Sequence, residues 1–401
     1  MGRTIQEEVP MSHPFKLGAV ALAALFTFLA AVVVSELSPP TFAQAQPPVD
    51  NKNVPLIPFE SIQDFLKYPP TMNLGEVLGV AVSSKGRIIV LNHPGSATSG
   101  PLYGNATTQL LEFDAGGKFV KEIGQGVYGL GYAHSVRFDK YDNLWVVDKG
   151  THSVMKFNPA GYVTMNLGRR PEGVEEHQFI SFQRGDPPPV HRDGYFNQPT
   201  DVTWDQDDNI FISDGYLNSR VAKIDKNGNW VKSWGSRGSG GEHANENPSQ
   251  FNTPHNISAD RQGNIYVADR GNRRIQVFDR DGGFQRFIFL NAPYDKKRQL
   301  VLGSMPASRP DETQPWALCI TNTTPQYLFA VDSEPGRLYK MTLDGKILGM
   351  LGESGRQLGQ FNWPHAIACP SENEVLVADL NNWRVQKLIL GRGKAAATAT
   401  R

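Results

Sequence analysis

The chain has 401 residues, of which 39% are apolar, and it contains 39 glycines and 28 prolines. This length and composition suffice for a large buried core and favour a turn-rich all-β protein. Forty basic residues balance forty acidic residues, and no run of lysine and arginine is interleaved with aromatic residues, so nucleic acid is not expected as a partner.

The N-terminal segment predicts export. Residues 17–35 carry no charge and follow Lys16, and residues 43–45, Ala-Gln-Ala, have the small-x-small form of a signal-peptidase site. The apolar stretch is also close to the roughly 20 residues that span a bilayer. Residues 1–45 are therefore a cleaved signal peptide or an uncleaved membrane anchor, and only in the second case is contact with a membrane expected. In both cases the rest of the protein is expected in the periplasm or outside the cell.

One sequence pattern recurs between residues 70 and 390. It reads FNQPT at residues 196–200, FNTPH at 251–255 and FNWPH at 361–365, and each copy continues into two short strands, the second of which ends in aspartate. Three diverged copies bring the total to six. The residues that end the second strands are Asn92, Asp148, Asp214, Asp269, Asp332 and Asp379.

Most copies continue into a third and a fourth strand, and four strands in a repeat of about 40 to 60 residues are typical of a propeller blade. The sequence therefore predicts a six-bladed β-propeller, and residues 70–390 resemble the NHL-repeat propellers. The alternative is a β-sandwich whose repeats are coincidental.

The sixth copy stops after its third strand, VQKLIL, at residues 385–390. We expect a segment between residues 54 and 68 to pair as the fourth strand, which would close the ring and cover two strand edges. Residues 46–69 are thus interpreted as a linker with a possible ring-closing strand. Residues 391–401 lack apolar periodicity and are predicted to be a disordered tail.

The two cysteines, Cys319 and Cys369, lie in a compartment where a disulfide would persist. When the repeats are superposed, the two cysteines fall one position out of register with each other. Because side chains alternate between the faces of a strand, this register disfavours a bond between them.

Histidine occupies one position of the repeat in three alternate blades. Counted in blade order, the residues immediately before the apolar core of the first strand are Leu78, His134, Thr200, His255, Trp316 and His365. Since the innermost strands of a propeller line its channel, the three imidazoles are expected to converge. Three histidines with an open fourth position are the ligand set of a catalytic zinc, although imidazole also suits copper and iron. Without a metal, each histidine would simply bond to backbone.

A second ring of residues is expected at the same mouth of the channel. It is formed by the residue that follows the end of the second strand in each blade. Its members are His93, Lys149, Gly215, Arg270, Ser333 and Leu380. Blade three places Tyr216 beside this ring, where a tyrosine close to a cation can act as a general base. Arg270 can bind a carboxylate or a carbonyl group. The structural alternatives are a rim residue for Tyr216 and a bridge between blades for Arg270.

The segments FNQPTDV, ISDGYLNSR, FNTPHNIS, VADRGNRRIQVF and FNWPHAI resemble the lyase domain of peptidylglycine α-amidating enzymes. That family splits a peptidyl-α-hydroxyglycine into a peptide amide and glyoxylate. The resemblance implies that His134, His255 and His365 hold zinc. It also implies that Tyr216 removes the proton of the substrate hydroxyl and that Arg270 is an active-site arginine.

Three positions depart from the family. A second catalytic arginine aligns with His93, so a fixed cation is replaced by a titrating one. Trp363 stands where the animal enzymes have methionine, and Ala366 stands where the family has a calcium-binding aspartate. The structural Ca²⁺ of the family is therefore doubtful, whereas the Zn²⁺ ligands are all present.

We therefore predict an exported, monomeric, zinc-dependent lyase that cleaves an N-(α-hydroxyalkyl)amide, a small molecule or a peptide, to an amide and an aldehyde. Its catalytic residues would be Tyr216, Arg270 and His93. The alternative is a non-catalytic NHL propeller that binds a peptide, glycan or protein. A propeller lactonase is disfavoured because it would need calcium held by carboxylates and amides at the channel.

Overall fold

A computed structural model describes residue 51 and residues 53–94, 108–168, 191–238, 247–294, 313–333 and 335–393. Contacts between Cα atoms divide the chain into Met1–Phe42 and Ala43–Arg401, and all of the described residues belong to the second unit. The predicted signal or anchor segment and residues 394–401 of the predicted tail lie outside the described residues. Within them, no helix is long and apolar enough to cross a membrane.

The described chain forms six four-stranded antiparallel sheets, so the predicted all-β, six-bladed propeller is confirmed. Strands are numbered along the chain, beginning with β1 (Phe59–Ile62). Blade one comprises β2 (Glu76–Val82), β3 (Ile88–His93), β4 (Gln109–Phe113) and β5 (Phe119–Ile123). Blade two comprises β6 (Ala133–Phe138), β7 (Leu144–Asp148), β8 (Ser153–Phe157) and β9 (Val163–Leu167). Blade three comprises β10 (Asp201–Trp204), β11 (Ile210–Asp214), β12 (Arg220–Ile224) and β13 (Trp230–Trp234).

Two short parallel pairs lie before blades four and six. The first joins β14 (Ser236–Arg237) to β15 (Gln250–Phe251). Blade four comprises β16 (Pro254–Ala259), β17 (Ile265–Asp269), β18 (Arg274–Phe278) and β19 (Phe284–Ile288), and blade five comprises β20 (Pro315–Ile320), β21 (Leu328–Asp332), β22 (Leu338–Met341) and β23 (Ile347–Leu351). The second pair joins β24 (Glu353–Ser354) to β25 (Gln360–Phe361), and blade six contains β26 (Pro364–Ser371), β27 (Glu374–Asp379) and β28 (Arg384–Leu390). Short 3₁₀ helices at Arg270–Asn272 and Leu380–Asn382 follow the second strands of blades four and six.

The first strand of each blade lies at the centre of the ring. Strands β2, β6, β10, β16, β20 and β26 contact one another in that order, and β26 contacts β2. Side chains from neighbouring sheets fill the space between blades. Between blades two and three, for example, Trp145 and Val147 pack with Val202 and Ile212, and all four are buried. Side chains that alternate along a first strand therefore point towards one or the other of the two neighbouring blades, as Val136 does towards blade one and Ser135 towards blade three.

The recurring FN pattern and the strand-ending aspartate form one hydrogen-bonded unit. In blade four the buried Asp269 accepts hydrogen bonds from the backbone N–H of Asn252 at 2.8 Å and from Nε of Arg274 at 2.9 Å. It also accepts one from the side-chain amide of Asn272 at 2.8 Å. Asp214 and Asp379 make the equivalent contacts in blades three and six. These bonds fix the start of the first strand against the end of the second, at the mouth of the channel where the histidines lie.

Strand β1 is the outer strand of blade six. It pairs antiparallel with β28, from Phe59 opposite Leu390 to Ile62 opposite Lys387. This is the pairing expected from the missing fourth strand of the sixth repeat. The segment before it also packs on the ring, because Ile57 and Phe59 lie against the core between blades five and six.

Truncation of the N-terminus tests whether the pairing of β1 with β28 closes the ring. Removal of residues 1–45 leaves β1 in place, and we expect no change in the melting temperature of the propeller. Removal of residues 1–70 exposes the edge of β28 and removes five partly buried apolar side chains from the ring, those of Val54, Ile57, Phe59, Phe65 and Leu66. Each contributes a part of the roughly 1.5 to 3 kcal/mol that a fully buried side chain contributes. The melting temperature should therefore fall by about 10 °C or more, measured by differential scanning calorimetry. Equal melting temperatures for the two truncations would contradict this role of β1.

The cysteines form a disulfide, so the prediction from register is wrong. Cys319 and Cys369 lie on β20 and β26, the neighbouring innermost strands of blades five and six, with their Cα atoms 6.0 Å apart. The pairing of β26 with β27 shifts register between Ala368 and Ser371, so Cys369 lies in a bulge. A bulge turns a side chain away from the regular alternation on which the prediction relied.

Candidate metal centre and active site

A β-bulge lies at the histidine position of the repeat. The pairing of first and second strands shifts register at His134 in blade two, at His255 in blade four and at His365 in blade six. Blades one and five have the same shift, at Leu78 and Trp316. An extra residue in one strand is left outside the ladder and its side chain is re-aimed. The bulge therefore turns each imidazole out of the packing between blades and into the mouth of the channel.

The three imidazoles meet at one point. Their ring centroids are separated by 4.7 Å between His134 and His255, by 4.7 Å between His134 and His365, and by 4.9 Å between His255 and His365. All three side chains are buried, and their nearest ligand atoms lie within 4.8 Å of one another. The arrangement is suited to one small cation in a pocket that excludes most water.

Each histidine is oriented by the next blade. Nδ1 of His134 lies 2.7 Å from the carbonyl oxygen of Thr200, and the other two histidines bond in the same way to Trp316, at 2.8 Å, and Leu78, at 2.7 Å. Since a carbonyl oxygen only accepts, Nδ1 carries the proton in each neutral ring, and the lone pair is on Nε2. A bond of this kind fixes the tautomer of a metal-binding histidine.

The histidines are in the protonation state that a metal requires. Burial lowers the pKa of His365 to about 3, and it lowers the pKa values of His134 and His255 well below the usual 6.5. Nε2 of His255 is buried and has no hydrogen-bond partner among the described residues. A buried lone pair without a partner is costly, and a metal ion would satisfy it. The residues present therefore fit a zinc ion.

Tyr216 lies beside the histidine cluster. Its hydroxyl is 3.2 Å from Nε2 of His134, and its ring centroid is 6.1 Å from that of His255. The preceding residue, Gly215, is packed so closely that a Cβ there would collide with the carbonyl oxygen of Pro254 and the side chain of Thr200. Glycine at this position lets the backbone of blade three approach blade four, which places the phenol over the channel.

Arg270 also lies beside the cluster, near Tyr216. Its guanidinium carbon is 4.4 Å from the ring centroid of Trp316 and 5.7 Å from that of Tyr216. Trp316 in turn packs against Trp363, with ring centroids 5.1 Å apart and the planes tilted by 43°, so the residue that replaces the methionine of the animal enzymes extends an apolar wall beside the histidines. The wall fixes the arginine, and its N–H groups remain available for an anion.

His93 lies behind Tyr132 and is uncharged at neutral pH. Its Nε2 is 3.0 Å from the carbonyl oxygen of Ala133, and its ring meets the edge of Tyr132 at 4.5 Å. The side chain has no exposed surface, and burial lowers its pKa to about 3. It therefore does not supply, at neutral pH, the positive charge that the aligned arginine supplies in the amidating lyases.

The low pKa of His93 predicts that the folded protein loses stability in acid. The folded-state pKa of His93 lies below its unfolded value of about 6.5. Its contribution to stability is therefore complete above pH 6.5 and is lost as the pH falls towards 3. Between pH 6.5 and 5 the free energy of unfolding of the natural protein should fall by about 2 kcal/mol more than that of His93→Asn. Urea denaturation at the two pH values measures the difference, and parallel losses would contradict a neutral His93.

The described residues do not fit a calcium ion at Ala366, which offers no carboxylate. A buried carboxylate on an innermost strand, Asp201, is already paired with Arg137, whose Nη2 and Nε lie 2.6 and 3.1 Å from its two oxygens. Arg137 Nη2 also donates to Asn256 at 3.0 Å and to the carbonyl of Leu318 at 3.1 Å. One guanidinium thus joins blades two to five across the channel.

Known proteins resemble this chain in its repeat and in its fold. The NHL repeat family model matches residues 251–278, which form most of blade four. The described chain is a six-bladed β-propeller that contains an NHL repeat. A catalytically inactive virginiamycin B lyase from Staphylococcus aureus, crystallised with quinupristin, superposes with a TM-score of 0.50 over 83% of this chain and 99% of that one. At 11% identity this likeness shows the fold alone.

Two relatives carry names that bear on the site of this NHL-repeat propeller. The probable peptidyl-alpha-hydroxyglycine alpha-amidating lyase pgal-1 of Caenorhabditis elegans is 27% identical over 274 residues, which are 64% of this chain and 71% of that protein. The peptidyl-glycine alpha-amidating monooxygenase of Mus musculus is 25% identical over 353 residues, which are 82% of this chain. The match spans 32% of the length of the mouse protein. The NHL-repeat propeller is therefore related in sequence to proteins named as amidating lyases and monooxygenases.

Sequence reasoning left two residues of the site without a role. Nζ of Lys149 lies 4.3 Å from the ring centroid of Tyr132 and 4.6 Å from that of Tyr216. Lys149 occupies the same repeat position as Arg270, two blades earlier, and this equivalence was the signal that could have drawn attention to it. Tyr132 stands two residues before His134, at the repeat position of Thr253 and Trp363, and the residue type at that position varies too much to have drawn attention to it.

Proposed function

We propose that this NHL-repeat propeller is a metal-dependent lyase that cleaves the C–N bond of a peptidyl-α-hydroxyglycine or a similar N-(α-hydroxyalkyl)amide. The observation that carries the proposal is the position of Tyr216, whose hydroxyl lies 3.2 Å from Nε2 of His134 at the edge of a buried cluster of three neutral histidines. The names of the relatives support the same reaction class.

His134, His255 and His365 would hold the metal through their Nε2 atoms, since each Nδ1 is engaged with a carbonyl of the next blade. A zinc ion bound there would act as a Lewis acid that stabilises negative charge on a substrate oxygen. The burial of the three rings supports this role, because electrostatic stabilisation is stronger where water is excluded.

Tyr216, as its phenolate, would accept the proton of the substrate hydroxyl. The C–N bond then breaks, the hydroxyl-bearing carbon becomes the aldehyde carbon of glyoxylate, and the amide nitrogen takes up the proton held by Tyr216. The peptide amide leaves and the phenolate is restored. Arg270 would bind the carboxylate of the glycine residue, because its guanidinium faces the site from the wall formed by Trp316. General base catalysis of this kind contributes about 10²- to 10⁴-fold to a rate.

Export through residues 1–45 and action as a monomer remain part of the proposal. The test is a glyoxylate-release assay on purified, zinc-loaded protein with a peptidyl-α-hydroxyglycine, combined with metal analysis of the same sample. Stoichiometric zinc with enzymatic release of glyoxylate would support the lyase. Stoichiometric zinc without turnover would leave the histidines as a structural site on a propeller that binds a peptide, glycan or protein.

A further inference from the structure

We infer that Lys149 is a substrate-binding residue that, together with Arg270, holds the carboxylate of an α-hydroxyglycine or glyoxylate group over the histidine cluster. The inference rests on the proposed function for the identity of the ligand. It assigns the second fixed cation of the site to blade two, whereas the alignment with the amidating lyases places that cation at His93 in blade one.

The two cations are related by the repeat. Lys149 and Arg270 each follow the aspartate that ends the second strand, in blades two and four, and they flank blade three. The equivalent residue of blade three is Gly215, which is followed by Tyr216. The ammonium group is 4.6 Å and the guanidinium carbon 5.7 Å from the centre of the Tyr216 ring. Both charges thus lie beside the proposed base.

The position of Lys149 is fixed by its own strand and by Tyr132. Its backbone N–H donates to the carbonyl of Tyr132 at 3.1 Å, and its ammonium group lies 4.3 Å from the centre of the Tyr132 ring. Tyr132 is itself fixed, because its backbone N–H donates to the buried carboxylate of Asp148. The cation is therefore held in place before any ligand arrives, which reduces the entropy lost on binding.

Neither cation is in a close ion pair within the described part of the chain. No carboxylate there forms an ion pair with Lys149 or Arg270, although the half-buried Glu76 interacts with Lys149 at longer range. Both side chains are half-buried and contact aromatic faces. Partly desolvated cations of this kind interact strongly with a carboxylate, so the pair favours an anionic group beside Tyr216.

His93 does not compete for this role. The imidazole has no exposed surface, its Nε2 is bonded to the carbonyl of Ala133, and its edge-to-face contact is with Tyr132. It lies behind Tyr132, whereas Lys149 lies between the rings of Tyr132 and Tyr216. The charge nearest to Tyr216 on this side of the site thus belongs to Lys149.

The test compares Lys149→Met, which removes the charge, with Lys149→Arg, which keeps it. The matched control is Lys156→Met, since Lys156 is a half-buried lysine of the same blade whose ammonium lies over Trp145, outside the site. Each zinc-loaded protein is assayed with a peptidyl-α-hydroxyglycine and with the same peptide ending in the hydroxyglycine carboxamide. A charged hydrogen bond contributes about tenfold or more to binding.

We expect Lys149→Met to raise KM for the carboxylate substrate by about tenfold or more, with a much smaller change in kcat, and to leave KM for the carboxamide unchanged. Lys149→Arg should restore most of the affinity, and Lys156→Met should behave like the natural protein. Equal losses with both substrates would mean that Lys149 has only a structural role, and unchanged KM values would also overturn the inference.

Glyoxylate binding separates this inference from the proposed function. Isothermal titration calorimetry of glyoxylate into zinc-loaded protein should show an affinity that is about tenfold or more lower in Lys149→Met. If glyoxylate binding depends on Lys149 but no substrate is turned over, the lyase proposal fails and the carboxylate site stands. If substrate is turned over and neither KM nor glyoxylate binding depends on Lys149, the lyase stands and the carboxylate site fails.

Discussion

His255→Ala should abolish stoichiometric zinc binding while the propeller stays folded. The substitution removes one of the three converging Nε2 atoms, and two imidazoles do not complete the ligand set of a catalytic zinc. Stability should change little by comparison, because most of the burial lies in the sheets and not at the channel mouth. Metal content by mass spectrometry of the dialysed protein should fall from about one equivalent to near zero.

The control for this experiment is His152→Asn. His152 is buried and has a φ of 57°, a backbone conformation that asparagine tolerates, but its Nδ1 accepts from the backbone N–H of Gln198 and it is not a member of the histidine cluster. It should keep a full equivalent of zinc. If His255→Ala also retained one equivalent of zinc, the metal would be bound elsewhere and the cluster would be no more than a set of histidines bonded to backbone.

Tyr216→Phe should lower kcat of the lyase by about 10²-fold or more, since it removes the only group that the proposal uses as a base. KM should change little, because the phenyl ring keeps its contacts with the side chains of Lys149 and Arg270. Zinc content should also be unchanged. The effect on kcat is measured by glyoxylate release under saturating substrate.

Tyr266→Phe is the matched control. The Tyr266 ring is buried, and its hydroxyl bonds to Asp260 and Leu343, away from the histidines. Its loss should cost about 1 kcal/mol of stability and leave kcat unchanged. A Tyr216→Phe protein as active as this control would rule out the phenol as the base, and the lyase mechanism proposed for this site would have to be abandoned.

The fold could be predicted because the repeat contains the contacts that build a blade. In blade four, Asn252 of the FN pattern and Arg274, which begins the third strand, both donate hydrogen bonds to Asp269, which ends the second strand. Where the pattern recurs, the same local structure recurs. Aligning the copies also assigns each residue to a ring, which is why the histidines could be grouped without knowledge of any distance.

The repeat was uninformative where a residue acts only once. Arg137 has no counterpart in the other blades, yet its guanidinium bonds to three of them. A repeat pattern does not predict such a contact. The cysteine prediction failed for a related reason. Superposition assumes that equivalent strands keep the same alternation, and the bulge between Ala368 and Ser371 breaks it in blade six alone. Alignment places His93 at the position of a catalytic arginine, but it does not show that the imidazole is buried.

The pairing of β1 with β28 has a consequence for the order in which the molecule assembles. β1 is synthesised before any blade exists, and its partner is the last strand of the ring, so Phe59 and its neighbours stay unpaired until almost the whole chain has been made. Contacts between such distant segments form late, since the loop must be closed before they stabilise anything. Blade six should accordingly be the last blade to form and the first to open. The Cys319–Cys369 disulfide limits that opening, because it ties the innermost strand of blade six to blade five whether or not β1 is bound.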